Sequence, residues 1–168
     1  KIAALCANST IATCDHRDIL FSAGRPALHF GIVLSGAFKL SKPSLNGEDV
    51  IVHFSTPGDV VGAFIMAQKA PIFPISATAM GPSRFLKIPK ENYLESWVKI
   101  PELVFRIQNL LSTRMNILQD QKVMSKAPLS QKVAALLLSL LDRNQGNDEM
   151  VLPLPLTRKE IAENLGAS

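Results

Sequence analysis

Apolar residues follow two different periods along this chain, and the change between them falls near Pro89. From about Thr10 to Pro89, short apolar runs alternate with turns rich in Gly, Pro, Asn and Asp. Closely spaced short strands with turns between them indicate a sandwich or barrel. Residues 1–8 are expected to end a helix, and a short helix is expected at 63–68. The pattern predicts strands at 11–14, 19–22, 30–34, 37–41, 50–54, 75–80 and 85–88.

After Pro89 the period becomes helical. A short helix over 90–99 is expected to stop near Pro101, which suits the first turn of the next helix, at 102–126. Apolar residues recur along that long helix at alternating steps of four and three, the spacing of a coiled-coil seam. The alternative is that this stripe packs on the β-domain. The seam predicts a parallel dimer formed through Ile107, Leu110, Leu111, Arg114, Ile117, Leu118 and Gln121.

A break follows the long helix. Pro128 disfavours helical geometry in Ala127, so a hinge is expected there. Ser130 can cap a further helix that runs to about Arg143. Residues 151–156 are expected to form a short strand pair or an extended lead-in to the segment that follows.

The last residues have the pattern of a helix followed by a tight turn. Thr157 and Glu160 are spaced as a capping box, and Gly166 suits the left-handed end of a helix. This pattern predicts the first helix and turn of a helix-turn-helix; an ordinary capped surface helix is the alternative. The recognition helix is expected to begin at Ser168, where the chain stops, so we expect the motif to be cut there. Lys1 is not an initiator Met, so that end is expected to be incomplete too.

Composition sets broad limits. A chain of 168 residues with 47% hydrophobic and 19% charged residues suits a compact domain plus part of a second. The net charge of +4 is compatible with nucleic acid but too small to argue for it. No apolar run approaches the roughly 18 residues that span a bilayer, so no membrane partner is expected.

Residues that carry chemistry are sparse. Cys6 and Cys14 have neither metal-site spacing nor the pattern of a disulfide framework, which favours cytoplasmic thiols. His16, His29 and His53 are scattered, and no metal site is predicted. The sequence contains no nucleophile elbow, phosphate loop or paired-carboxylate signature, so it is not expected to be an enzyme.

The order of these parts resembles the family of the cyclic-AMP receptor protein and the fumarate–nitrate reduction regulator. The matching segments are 19–24, 33–40, 57–62, 129–141 and 157–168, and Tyr93 lies in the usual short helix. The resemblance implies an α+β fold: a cyclic-nucleotide-binding-like β-roll (jelly roll) at 1–100, a dimerisation helix at 101–127, and the start of a winged helix-turn-helix domain at 128–168. Gly24, Gly36 and Gly58 are expected to adopt positive φ in tight turns.

The resemblance also implies a function, that of a homodimeric bacterial DNA-binding transcription regulator with an effector-sensing roll. Its implied partners are DNA, a second copy of the chain and RNA polymerase. Two recognition helices of such a dimer meet successive major grooves. Thr157, Arg158 and the amide of Ser168 are the expected phosphate contacts, which position the protein without specifying sequence.

Departures from the family pattern argue against cyclic AMP as the effector. Members that bind cyclic nucleotides carry a Gly-Glu pair for the ribose, and an Arg for the phosphate ten residues beyond that glutamate. Here Gly62 is followed by Ala63, and ten residues later come Phe73 and Pro74. A buried phosphate without a cationic partner loses several kcal/mol. The residues expected to face the purine offer no hydrogen bonds, and they are Ile117 and Leu118.

The iron–sulfur branch of the family does not match either, because Cys6 and Cys14 cannot supply four thiolates. The expected effector pocket is therefore apolar. It could admit haem or an uncharged organic molecule, or be filled by its own side chains. The residues expected to line it are Phe64, Ile65, Ile72, Phe73, Ile75, Ile117 and Leu118.

Two other functions stay open on the sequence. One is a ligand-sensing roll that acts through protein contacts, with a merely structural tail. The other is a cupin-like metalloenzyme built on the same roll, which would need inward-facing His ligands.

Overall fold

The computed structural model describes residues 5–44, 47, 49–141 and 154–166. Its first half is an eight-stranded roll, and helices follow. The predicted strands are confirmed; the two-residue strand β6 was not predicted, because it is too short to show an alternating pattern. The strands are β1 (Thr10–Cys14), β2 (Ile19–Phe21), β3 (His29–Ser35), β4 (Phe38–Pro43), β5 (Asp49–Ser55), β6 (Val60–Val61), β7 (Ser76–Ala79) and β8 (Ser83–Pro89).

The strands form two four-stranded antiparallel sheets, in the orders β1-β8-β3-β6 and β2-β7-β4-β5. Along most strands of both sheets, alternate side chains point inward and form the roll's core. The largest inward side chains are 1% exposed or less, and they are Phe30, Phe38, Leu40, Phe85 and Ile88.

A β-bulge in β5 changes which side chains face inward. Leu40 pairs with His53, but the next residue of β4, Ser41, pairs with Ile51. One extra residue is therefore present in β5, and a bulge of this kind redirects side chains. As a result Val52 packs against the roll's interior, while Ile51 joins a separate cluster on the other face of the sheet.

The helices begin and end close to the predicted residues. The short helix predicted at 90–99 is divided into α1 (Lys90–Glu95) and a 3₁₀ turn (Trp97–Lys99), and the one predicted at 63–68 is the 3₁₀ turn Ala63–Ile65. The long helix is α2 (Pro101–Met124). The last two are α3 (Leu129–Leu141) and α4 (Arg158–Leu165).

Some predicted elements are only partly confirmed by the structure. Residues 154–156 form no strand, and 151–153 lie outside the described residues. Helix α3 begins one residue before Ser130, and its predicted end at 142–143 also lies outside the described residues. The jelly-roll-like fold with a long helix and the first helix of the predicted helix-turn-helix is confirmed.

A second apolar cluster joins α3 and α4 to the outer face of the β2-β7-β4-β5 sheet. Leu156, Ile161 and Leu165 pack against it as partly buried residues. The segment beyond the long helix is therefore docked on the roll of its own chain. The buried members of this cluster are Ala37, Ile51, Phe54, Met80, Leu136, Leu140 and Leu154.

The turn between β3 and β4 requires glycine. Gly36 has φ +72°, and a Cβ there would lie 2.5 Å from the carbonyl oxygen of Pro82. The turn is closed by Ser83, whose Oγ accepts a hydrogen bond from the amide of Ala37 at 3.1 Å. The predicted positive φ at Gly24, Gly36 and Gly58 is confirmed.

His29 is a partly buried histidine at the start of β3. Its Nε2 is buried and has no hydrogen-bond partner among the described residues, and its ring lies edge-on to Phe73 at 5.7 Å. Burial, with a smaller effect of the nearby Lys87 ammonium, lowers the pKa of His29 to about 4. The folded protein therefore keeps this imidazole neutral at physiological pH.

We expect Gly36→Ala to lower the free energy of unfolding by about 2 kcal/mol or more, because backbone strain and steric overlap add. Gly24→Ala is the matched control: its φ is +78°, but no atom lies within 4 Å of the Cβ that the alanine would add. It should cost about 1 kcal/mol, from backbone strain alone. Urea unfolding of both variants measures the difference, and equal losses would contradict the steric argument.

The pKa of His29 makes stability depend on pH. An unfolded histidine takes up a proton near pH 6.5, whereas the folded one does so only near pH 4. The free energy of unfolding should therefore fall as the pH falls through this window. We expect His29→Leu to make the decline between pH 6.5 and 4 shallower in urea unfolding. An unchanged pH dependence would show that His29 is not the titrating group.

Candidate functional site

A cavity of about 200 Å³ lies between the roll and the middle of α2. Strands β4 and β5 form one wall, the 3₁₀ turn and the residue before β7 form another, and α2 closes the third side. Most of its lining is apolar. The lining residues are Leu40, Val52, His53, Phe64, Ile75, Leu111, Arg114, Met115, Ile117 and Leu118.

This cavity contains part of the predicted effector pocket. Among the apolar residues expected there, Ile65 is buried in the roll's core and Ile72 is 54% exposed. The sequence therefore named two of the five lining residues that α2 contributes and two of the five that the roll contributes. The predicted residues that do line the cavity are Phe64, Ile75, Ile117 and Leu118.

The remaining predicted effector residues lie elsewhere. Ala63 and Phe73 are 3% exposed and belong to the roll's core, where Phe73 stacks on Phe21 with ring centroids 4.0 Å apart. Gly62 has φ +82° and lies against Phe73, and Pro74 is exposed. Aromatic packing thus occupies the position of Phe73, which the sequence had assigned to the effector pocket.

Two polar residues of the cavity were not predicted to belong to it. His53 faces the cavity through the bulge of β5, and its Nε2 lies 3.9 Å from Oδ2 of Asp59. The same carboxylate oxygen accepts a hydrogen bond from the amide of Thr56 at 2.9 Å. Arg114 lines the cavity from α2, and its Nε and Nη2 atoms are buried.

Helix α2 presents two apolar stripes. The stripe predicted as the dimer seam faces inward: Ile107 is in the roll's core, Leu110 is half-buried, and Arg114 and Ile117 line the cavity. Gln121, from the same prediction, is exposed and lines a second cavity. The second stripe, one position away, is exposed, and its members are Leu111, Met115 and Leu118.

The second cavity, of about 290 Å³, lies where α2, α3 and α4 meet. Its walls come from the C-terminal half of α2, the inner face of α3 and the end of α4. The residues that line it are Ile117, Asp120, Gln121, Met124, Ser125, Lys132, Ala135, Leu136, Ser139, Asn164 and Leu165.

Helix α4 is capped as predicted. The amide of Glu160 donates to Oγ1 of Thr157 at 3.2 Å, and the amide of Thr157 donates to Oε2 of Glu160 at 2.9 Å. Gly166 ends the helix with φ 62°. Thr157 and Arg158 are both exposed, whereas Ser168 lies outside the described residues.

Polar contacts attach α4 to the roll. Nδ2 of Asn164 donates to the carbonyl oxygen of Ile51 at 3.1 Å. Nζ of Lys39 lies 3.6 Å from Oε1 of Glu160 and 3.7 Å from Oε2 of Glu163. Strands β4 and β5 therefore contact α4 on one face and the 200 Å³ cavity on the other.

Metal clusters and membrane spans are two further features that a chain of this size could carry. Within the described residues, no three His, Cys, Asp or Glu side chains lie together in a way that could hold a metal ion. No helix among those residues is long and apolar enough to cross a membrane.

The sequence matches known proteins over most of its length. The family description "Cyclic nucleotide-binding domain" matches residues 13–96. The chain is 29% identical over 154 residues to the transcriptional activator protein anr of Pseudomonas aeruginosa, and 31% identical over 156 residues to the nitrogen fixation regulation protein FixK of Bradyrhizobium diazoefficiens. Each match covers 89% of this chain, and the chain spans 62% of the length of each relative.

The fold matches a solved structure as well. FixK2 from Bradyrhizobium japonicum superimposes with a TM-score of 0.80, covering 95% of this chain and 78% of that one at 19% identity. That likeness supports the fold, and the sequence matches support the relationship. The chain belongs to the cyclic nucleotide-binding domain family and is homologous to transcriptional regulators of the Crp/Fnr type.

Proposed function

We propose that the chain forms the sensing and dimerising part of a homodimeric, DNA-binding transcription regulator in the bacterial cytoplasm. Residues 1–100 are the sensor, 101–127 the dimerisation helix, and 128–168 the start of the DNA-binding domain. One observation carries the proposal: a capped helix, α4, follows a roll and a long helix in a chain homologous to transcriptional regulators. Its first turn is exposed at Thr157 and Arg158, where a phosphate could bind.

The exposed stripe of α2 supports dimerisation. Leu111, Met115 and Leu118 are 38%, 55% and 47% exposed, and they lie at steps of four and three on one helical face. A second copy of this helix would bury that stripe in a coiled-coil-like seam. The inward stripe, by contrast, packs the helix against the roll of its own chain.

The effector of this regulator is proposed to be something other than cyclic AMP. Ala63 provides no carboxylate for a ribose, and Phe73 and Pro74 provide no cation for a phosphate. Both Ala63 and Phe73 are buried among apolar neighbours. An unpaired phosphate there would lose several kcal/mol of binding free energy.

The proposed signal passes through the sheet formed by β4 and β5. A molecule in the 200 Å³ cavity would contact Leu40 and Val52, while Lys39 and Ile51 of the same strands hold α4. A small movement of these strands or of α2 would therefore change how α4 is held. The joint between α2 and α3, around Pro128, is where the DNA-binding part would turn.

Dimerisation can be tested with a charge on the exposed stripe. We expect Met115→Glu to yield a monomer in sedimentation velocity at micromolar concentration, whereas the wild-type chain sediments as a dimer. The side chain is exposed in a single subunit, so the variant should still fold. Thr113→Glu places the same charge on another exposed face of the helix and should remain dimeric. A monomeric wild-type chain would contradict the proposal.

DNA binding can be tested by a gel-shift. The protein is expressed from its own gene, and the probe is DNA from its own promoter. We expect Arg158→Gln to weaken binding about equally for all sequences and to reduce the salt slope by about 1, as for one lost phosphate contact. Arg106→Gln, at an exposed position of α2, should bind like wild type. No salt-sensitive binding by the wild-type protein would favour a module that acts through protein contacts.

A further inference from the structure

The second cavity, where α2, α3 and α4 meet, has room for a small organic molecule. Its volume is about 290 Å³. An apolar protein cavity of roughly 150 Å³ is enough to bind benzene, so a molecule somewhat larger than one ring would fit. Because side chains of all three helices line the space, such a molecule would contact the three helices at once.

Apolar side chains form much of the wall of this cavity, and they too come from all three helices. A surface of this kind favours a branched or aromatic hydrocarbon group over a polar one, because contact removes apolar surface from water. The apolar lining residues are Ile117, Met124, Ala135, Leu136 and Leu165.

Two opposite charges belong to the same wall. Asp120 lines the cavity from α2, and Lys132 lines it from α3. Neither side chain forms an ion pair with another residue that the structure describes. The wall therefore offers a carboxylate and an ammonium group together with an apolar surface, which suits a ligand that carries both charges and an apolar body.

Asn164 adds an acceptor that needs a donor. Its Nδ2 donates to the carbonyl oxygen of Ile51 at 3.1 Å, whereas its Oδ1 is buried and has no hydrogen-bond partner among the described residues. A buried acceptor without a donor lowers stability. The hydroxyls of Ser125 and Ser139, by contrast, already donate to carbonyl oxygens three residues earlier in the chain. The polar groups that a ligand could match are therefore one anion, one cation, the amide of Gln121 and this acceptor.

We propose that this cavity binds a free apolar α-amino acid about the size of leucine. Its ammonium group, which has three donors, faces Asp120 and the Oδ1 of Asn164, and its carboxylate faces Lys132. Its side chain lies on the apolar part of the wall. The site goes beyond the proposed function, because it lies outside the roll's cavity and is a second input. An occupant that joins α2 to α3 and α4 would hold the segment beyond Pro128 in one orientation.

Isothermal titration calorimetry of the protein expressed from its own gene tests this site with L-leucine and two probes that each lack one charge. Isocaproate has the side chain and the carboxylate of leucine but no amino group. L-leucinamide has the ammonium group but no carboxylate. We expect L-leucine to bind about fivefold more tightly than either probe, as fits ion pairs at a partly exposed site.

Two variants separate the roles of the two charges. Asp120→Asn should largely remove the preference for leucine over isocaproate and keep the preference over leucinamide, whereas Lys132→Met should do the reverse. Neither side chain is fully buried, so both variants should fold. Glu102→Gln and Lys99→Met change exposed charges near the start of α2 and should keep both preferences.

Any of three results would overturn the proposal. The first is equal affinity of the wild-type protein for leucine and either probe. The second is no binding of leucine at millimolar concentration by wild-type protein that circular dichroism shows to be folded. The third is binding by Met115→Glu but not by the wild-type protein, because the partner subunit would then cover the cavity. The readout is binding of an amino acid, so each result is independent of the gel-shift that tests DNA binding.

Discussion

The bulge in β5 is the constraint on which the arrangement of this molecule depends. A regular strand would alternate strictly, and His53 would then share the face of Ile51. The extra residue instead places both Val52 and His53 toward the cavity and leaves Ile51 and Phe54 facing α3 and α4. Strands β4 and β5 thus form a wall of the cavity on one face and contact α4 on the other.

Helix α2 also carries two apolar stripes, one that packs on the roll and one that is exposed. Ile107 is buried in the roll's core, so the inward side of the helix is attached to the roll. The stripe of Leu111, Met115 and Leu118 remains outside, exposed in the single subunit. If a second copy buried that stripe, a change at the cavity would affect both the dimer interface and the attachment of α4.

Local signals were strong enough to predict most of the fold. Turn glycines and short apolar runs located the strands, and the spacing of Thr157 and Glu160 located the capped helix. The inward side of α2 could not be assigned, because a heptad pattern does not say which of two adjacent stripes faces the roll. The bulge of β5 was invisible because nothing in its residues departs from an ordinary strand. Arg114 is the one cation within the predicted apolar seam, which sets it apart in the sequence. The sequence could not show that its side chain faces the cavity, because that orientation depends on tertiary packing.

Strands β4 and β5 hold α4, and we propose that events at the cavity thereby reach the segment that would bind DNA. Amide hydrogen exchange of α4 tests this claim most directly. Lys39→Met removes the ion pairs to Glu160 and Glu163, and Lys42→Met changes an exposed lysine of the same strand. The account predicts faster exchange across α4 in Lys39→Met alone, with β8 unchanged in both variants. Equal protection of α4 in the wild type and Lys39→Met would contradict it.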